Sequence, residues 1–235
     1  MTSTERSTFE HDGRAIPYAD EGSGPVLVLL PGSGLDIVYL GTLAHVLVEE
    51  DFRVIRIGSR HPGVEATGEV TLHDLAQDVA DVLDHVGVDS AWIGGHAFGG
   101  SIARVMAHDH HDRVNGVLLL AVDGSGAATD ETWAAGDDAT AALVAKSQDA
   151  DVVALHAAAI AATEASDWET PAAGVPVLAI IGTADTLTPN GGAESLRNAA
   201  PELVSVVSIE GAGHLFPATH AGETSWAIED YLDWD

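Results

Sequence analysis

The 235-residue chain has no cysteine, which excludes disulfides, thiolate metal sites and a cysteine nucleophile. It has a single lysine, Lys146, and nine basic residues in all against 37 acidic ones, for a formal net charge of −28. So large a negative charge argues against nucleic acid and anionic membrane surfaces as partners. The acids are dispersed, not gathered into a tail, and so describe a solvated surface suited to a salt-rich environment. No apolar run reaches the ~18 residues that span a bilayer. Met1 to Glu10 is polar and has no apolar signal core, so a cytoplasmic location is expected. No internal repeat is present.

What the chain does have is alternation. Thr8–His11 and Ala15–Ala19 predict two short strands joined by a turn at Asp12-Gly13. Val26–Leu30, Phe52–Ile57, Ala91–Ile93, Asn115–Val122, Pro176–Ile181 and Val204–Ile209 are apolar runs of strand length. Runs apolar on both faces are those of buried parallel strands. Between them, Leu35–Glu50, Thr71–Val86, Ser101–Ala107, Gly192–Ala199 and Thr224–Leu232 read as helices. Thr71–Val86 is the clearest, with Thr71 as cap, Asp74 in its first turn and an apolar face of Leu72, Leu75, Val79, Val82, Leu83 and Val86. Strands alternating with helices predict a single α/β domain over 1–235, with a mostly parallel sheet covered on both faces. Residues 124–174, rich in Ala, Asp and Thr, predict about two helices forming a small cap over the strand ends.

In such sheets the reacting groups gather at the C-terminal ends of the strands. One strand ends in Gly95-His96-Ala97-Phe98-Gly99-Gly100 and leads into a helix. A strand, a sharp turn with flanking glycines and a helix make a nucleophile elbow, here with Ala97 at its apex. A second strand ends in Gly182-Thr183-Ala184-Asp185 and runs on to Pro189; a third ends in Gly211-Ala212-Gly213-His214. The chain order is therefore nucleophile position, acid, base.

In these three motifs the chain resembles the α/β-hydrolase fold superfamily over nearly its whole length. The elbow is similar to the family's Gly-His-Ser-x-Gly-Gly, with alanine in place of serine. The resemblance implies a triad of position 97, Asp185 and His214, with Asp123 as a rival acid. It also implies an oxyanion hole made by the N–H groups of Phe98 and Ser33. Pro31 stands where the family's loop often has histidine, which leaves open how that loop is braced. The implied reaction is hydrolysis of a small-molecule ester, thioester or lactone, with no cofactor and no metal. Dehalogenase and epoxide hydrolase chemistry is disfavoured, because it needs a carboxylate where this chain has Ala97.

Leu35, Trp133, Trp168 and Leu215 are candidates for an apolar substrate pocket, and for the tryptophans ordinary packing is the alternative. Asp185 could merely cap the turn before Pro189, but the motif favours the triad role. His96 beside the apex is assigned to packing. His108, His110 and His111 follow the elbow helix without a carboxylate pattern and read as a solvated helix end, not a metal site. Neither Gly22-Ser23-Gly24 nor Gly32-Ser33-Gly34 continues as a dinucleotide fingerprint. Three explanations for Ala97 follow, in this order: a serine replaced to stop turnover, a natural non-catalytic binder, or chemistry run by His214 without a nucleophile.

Overall fold

A computed structural model of the chain describes residues 6–61, 69–122, 148–188 and 191–232. Eight strands form one sheet: β1 (Ser7–His11), β2 (Arg14–Gly22), β3 (Val26–Leu30), β4 (Arg53–Ile57), β5 (Ala91–His96), β6 (Val114–Leu120), β7 (Val177–Gly182) and β8 (Val204–Ile209). Their order is β1-β2-β4-β3-β5-β6-β7-β8. β1 and β2 pair antiparallel, as do β2 and β4, and every pairing from β4 across to β8 is parallel.

The continuous apolar runs are explained by two cores, one on each face of the sheet. Along β3, Val28 and Leu30 enter one core while Leu27 and Leu29 enter the other. β6 and β7 alternate in the same way, as the two-residue period of a strand requires. Helices α2 (Leu72–His85) and α3 (Phe98–Asp109) cover the first face, through residues such as Leu75, Val79, Ile102 and Met106. Helices α1 (Gly41–Glu49) and α7 (Ala221–Leu232) cover the second, through Leu43, Leu47 and Ile228. The remaining described helices are α4 (Ala150–Ala161), α5 (Gly191–Ala199) and the short α6 (Phe216–Thr219). None of the described helices is long and apolar enough to cross a membrane.

Helix α2 begins as its sequence predicts, with a capping box. The Thr71 hydroxyl accepts the Asp74 N–H, and the Asp74 carboxylate accepts the Thr71 N–H at 2.8 Å. The stretch 35–50 is not one helix. Asp36 accepts the Val38 N–H at 3.0 Å and starts a 3₁₀ turn at Ile37–Leu40, and only then does α1 begin. Within 124–174 the described residues hold one α-helix, α4, and a 3₁₀ turn at Ala165–Asp167. The rest of that stretch lies outside the described residues.

Few basic residues are available, and most of them join elements. Arg14 on β2 reaches Asp78 and Asp81 on α2 at 2.6 and 2.7 Å, Arg53 on β4 reaches Asp20 at 2.7 Å, and Arg56 reaches Glu21 at 2.9 Å. The excess acid meets no such compensation, given the net charge of −28. The melting temperature should therefore rise as NaCl goes from about 0.01 M to about 1 M, as the Debye length falls from ~30 Å to ~3 Å and screens the self-repulsion. Calorimetry over that range checks this, and a flat or falling melting temperature would refute it.

Candidate active site

Strand β5 delivers the chain to Ala97, whose φ of 49° and ψ of −115° lie outside the regions that L-residues favour. The apex is held by its own backbone: the Ala97 N–H donates to Leu120 O and the Gly100 N–H donates to Ala97 O, both at 2.9 Å. Helix α3 starts at once, at Phe98, earlier than its sequence predicts. This sharp reversal needs glycines. A Cβ on Gly95 would sit 2.1 Å from the carbonyl carbon of Gly99, and one on Gly99 would sit 2.5 Å from Leu30 O. In each case the obstacle is backbone, which cannot swing aside. Gly99→Ala should destabilise the fold by about 3 kcal/mol, the upper range for overpacking a tight site. Urea unfolding measures it, and a loss below about 0.5 kcal/mol, the level of an ordinary surface change, would contradict the argument.

Asp185 and His214 are brought together from loops 29 residues apart. His214 Nδ1 lies 2.9 Å from Asp185 Oδ2, and both side chains are buried. The carboxylate does two things at once. Its Oδ1 accepts the N–H groups of Leu187 at 2.8 Å and Thr188 at 3.1 Å, which caps the turn. Its Oδ2 accepts the Thr188 hydroxyl and the imidazole. Burial pushes the Asp185 carboxyl up, but the hydrogen bond and charge of His214, with the bonds from Thr188, outweigh it and hold the group at about 2. It is therefore a carboxylate, which makes Nδ1 of His214 the protonated nitrogen and Nε2 the basic one.

His96, next to the apex, does more than pack. Its Nε2–H donates to the backbone carbonyl of His214 at 2.9 Å, and the two rings are 4.9 Å apart. Its Nδ1 must then be unprotonated, so the Tyr39 hydroxyl donates to it at 2.7 Å. Tyr39 Oη in turn accepts the Gly32 N–H at 2.9 Å. Burial and the nearby His214 charge push the His96 imidazole down to about 3, so the ring is neutral. This buried chain joins the loop after β3 to the elbow and to the histidine loop.

Phe98 is buried, and its ring stacks on His156 of α4 at 3.9 Å with 13° between planes. Ser33 is half-buried between two buried glycines. Leu35 lines a cleft of about 110 Å³ together with Ile37, Ser59 and Asp149. Leu215 is buried in the α1-side core. Trp168, a pocket candidate by sequence, instead packs in the α3-side core, with the Arg104 guanidinium 5.3 Å from its ring. Its place is the packing alternative. Asp123, Trp133 and Pro189 lie outside the described residues.

His108 at the end of α3 and His111 just after it reach the 170–173 segment, with Nε2–H bonds of 2.9 Å to the carbonyls of Thr170 and Ala173. Among the described residues no group of three or more His, Cys, Asp or Glu is placed to hold a metal ion. Sequence reasoning missed Thr188, Tyr39 and His156. Thr188 had a local signal, a hydroxyl three residues after the acid; the other two had none.

Comparison with known proteins agrees with this fold. The model of the α/β hydrolase fold family matches residues 25–169. The chain is 35% identical over 104 residues to a 2-heptyl-3-hydroxy-4-quinolone dioxygenase, AqdC2, of Rhodococcus erythropolis, covering 42% of this chain and 38% of that protein. It is 32% identical over 112 residues to a soluble epoxide hydrolase of Corynebacterium sp. strain C12, covering 46% and 38%. The chain thus spans about two fifths of the length of the curated relatives it matches. Among solved structures, it resembles a thermophilic esterase from Thermogutta terrifontis with a TM-score of 0.83 and 22% identity, covering 97% of this chain and 98% of that one. By the family match, which covers more than half its length, the chain belongs to the α/β-hydrolase fold family.

Proposed function

We propose that this chain has the site of a hydrolase for small or medium carboxylic esters, thioesters or lactones, with Ala97 at the nucleophile position. The observation that carries this reading is the apex itself. Ala97 holds the strained backbone that presents a nucleophile, although alanine gains nothing from it, beside an intact Asp185–His214 pair. With serine at 97, Oγ would attack the carbonyl carbon while His214 Nε2 takes the hydroxyl proton. Asp185 would orient the imidazole and stabilise its charge. The N–H groups of Phe98 and Ser33 would hold the oxyanion. The carbon–leaving-group bond would then break, the leaving group taking the proton from His214. Water, deprotonated by the same histidine, would release the acid and restore the serine. With Ala97 the first bond cannot form, so this chain should be inactive or nearly so while still able to bind. The 124–174 stretch would form the cap of the single domain, and Asp123 is the alternative acid.

A second reading is supported by the same pair. A complete His–Asp dyad without a nucleophile suits proton removal from an acidic substrate. A non-catalytic binder is the third.

The test is a panel of chromogenic esters, thioesters and lactones with this chain and its Ala97→Ser variant. Hydrolysis only with serine, abolished by His214→Ala, supports the triad. A folded Ala97→Ser variant that cleaves nothing sinks it and leaves His214-only chemistry or ligand binding.

A further inference from the structure

The loop after β3 lacks the histidine often found at its start, and Pro31 has no N–H to anchor it. The Gly32 N–H is accepted by Tyr39 Oη at 2.9 Å. The Gly34 N–H is accepted by His156 Nδ1 at 3.3 Å, and the Leu35 N–H by Gly32 O at 3.1 Å. Among the described residues, none accepts a hydrogen bond from the Ser33 N–H, which lies between these two bonded glycines. The two glycine bonds therefore pin the loop on either side of Ser33 and leave its N–H unspent.

We propose that His156 is a positioning residue of this site, which holds both oxyanion donors in register: Ser33 through the neighbouring Gly34 N–H, and Phe98 through the face of its ring. The inference rests on the hydrolase reading above. His156 is the only one of these braces that touches both halves of the hole. It lies 122 residues from Gly34, on α4, within the stretch the sequence reads as a cap.

The chemistry of the imidazole is settled by its neighbours. A backbone N–H only donates, so Nδ1 facing Gly34 carries a lone pair and Nε2 carries the proton. That proton goes to Ser59 Oγ at 2.8 Å. The Ser59–His156 contact therefore has the wrong tautomer for a second nucleophile and base, since the nitrogen facing Ser59 is already protonated. Burial pushes the His156 imidazole down to about 3, so the ring stays neutral and the lone pair stays on Nδ1. Protonation would set an N–H against the Gly34 N–H and break the brace.

The test uses two replacements in the Ala97→Ser protein. His156→Phe keeps a ring against Phe98 but accepts nothing from Gly34. His156→Asn places an amide oxygen near the Nδ1 position. The Phe variant should lower kcat by about 10- to 100-fold with KM changed by less than about twofold, since the donors act on the transition state. The Asn variant should recover most of that loss. A rise in KM alone, or equal kcat in both variants, overturns the proposal. A Phe variant that does not fold is bypassed by nitrogen-15 NMR on the unaltered Ala97 chain. An unprotonated Nδ1 coupled to the Gly34 amide supports the brace, and a protonated Nδ1 overturns it. If Ala97→Ser itself is inactive, the hydrolase reading falls, and the NMR result alone decides whether the brace exists.

Discussion

Placing serine at position 97 should raise ester hydrolysis by about 10,000- to 1,000,000-fold, the scale on which a triad depends on its nucleophile. Little else needs to change. The apex backbone already has the positive φ of a presented nucleophile, and its N–H and carbonyl are already bonded to Leu120 and Gly100. The base is already in the right tautomer, because the Asp185 carboxylate accepts a hydrogen bond from Nδ1–H. At about 2, that carboxyl stays ionised at every pH at which an esterase assay is run. The same logic sets the cost of undoing it. In the serine background, Asp185→Asn should lower kcat by about 10,000-fold, because an amide N–H aimed at Nδ1 favours the opposite tautomer. Steady-state rates on a short-chain nitrophenyl ester measure both changes. An Asp185→Asn enzyme as fast as its parent would remove Asp185 from the triad and return the role to Asp123.

Acid should unfold this protein steeply, and two histidines that do no chemistry account for much of it. His96 and His156 are held at about 3 in the folded state, against about 6.5 in an unfolded chain. Between those values the unfolded state binds protons that the folded state refuses. Unfolding free energy therefore falls as pH falls from about 6.5 toward 3, by about 1.4 kcal/mol per pH unit for each histidine. Asp185, with its lowered pKa, adds stability above its unfolded value that is lost as pH drops toward 2. Two groups oppose the trend. His73, raised chiefly by its hydrogen bond to Asp109, contributes stability at low pH that is lost as pH climbs through its folded value. Asp78, raised by burial despite Arg60 and Arg14, becomes less costly to bury as it protonates. Differences between variants isolate one group from these others. The pH profile of His156→Gln, from urea melts between pH 7 and 4, should be shallower than the parent's by about 1.4 kcal/mol per unit. Parallel profiles would show that His156 is protonated in the folded protein.

The fold and the three strand-end motifs were legible in the order of residues alone. Strands buried on both faces leave continuous apolar runs, and β3 and β8 have the very bounds the runs predict. Helix α2 carries its cap and its apolar stripe within a few residues of each other. The elbow glycines are legible because a close backbone approach tolerates no Cβ.

How these residues are held together depends on contacts between distant parts of the chain. Local periodicity reads residues 35–50 as one helix, but Tyr39 is drawn to Gly32 and to His96, 57 residues away, where the chain makes a 3₁₀ turn. Asp185 shares its two oxygens between turn and imidazole, which a motif cannot show. Trp168 packs in the core beside Arg104, and His156 reaches the β3 loop across 122 residues. A periodic pattern records which face of an element is buried, not which distant polar atom meets it there. Bonds between buried polar groups are made only when packing has removed the water that would otherwise satisfy them.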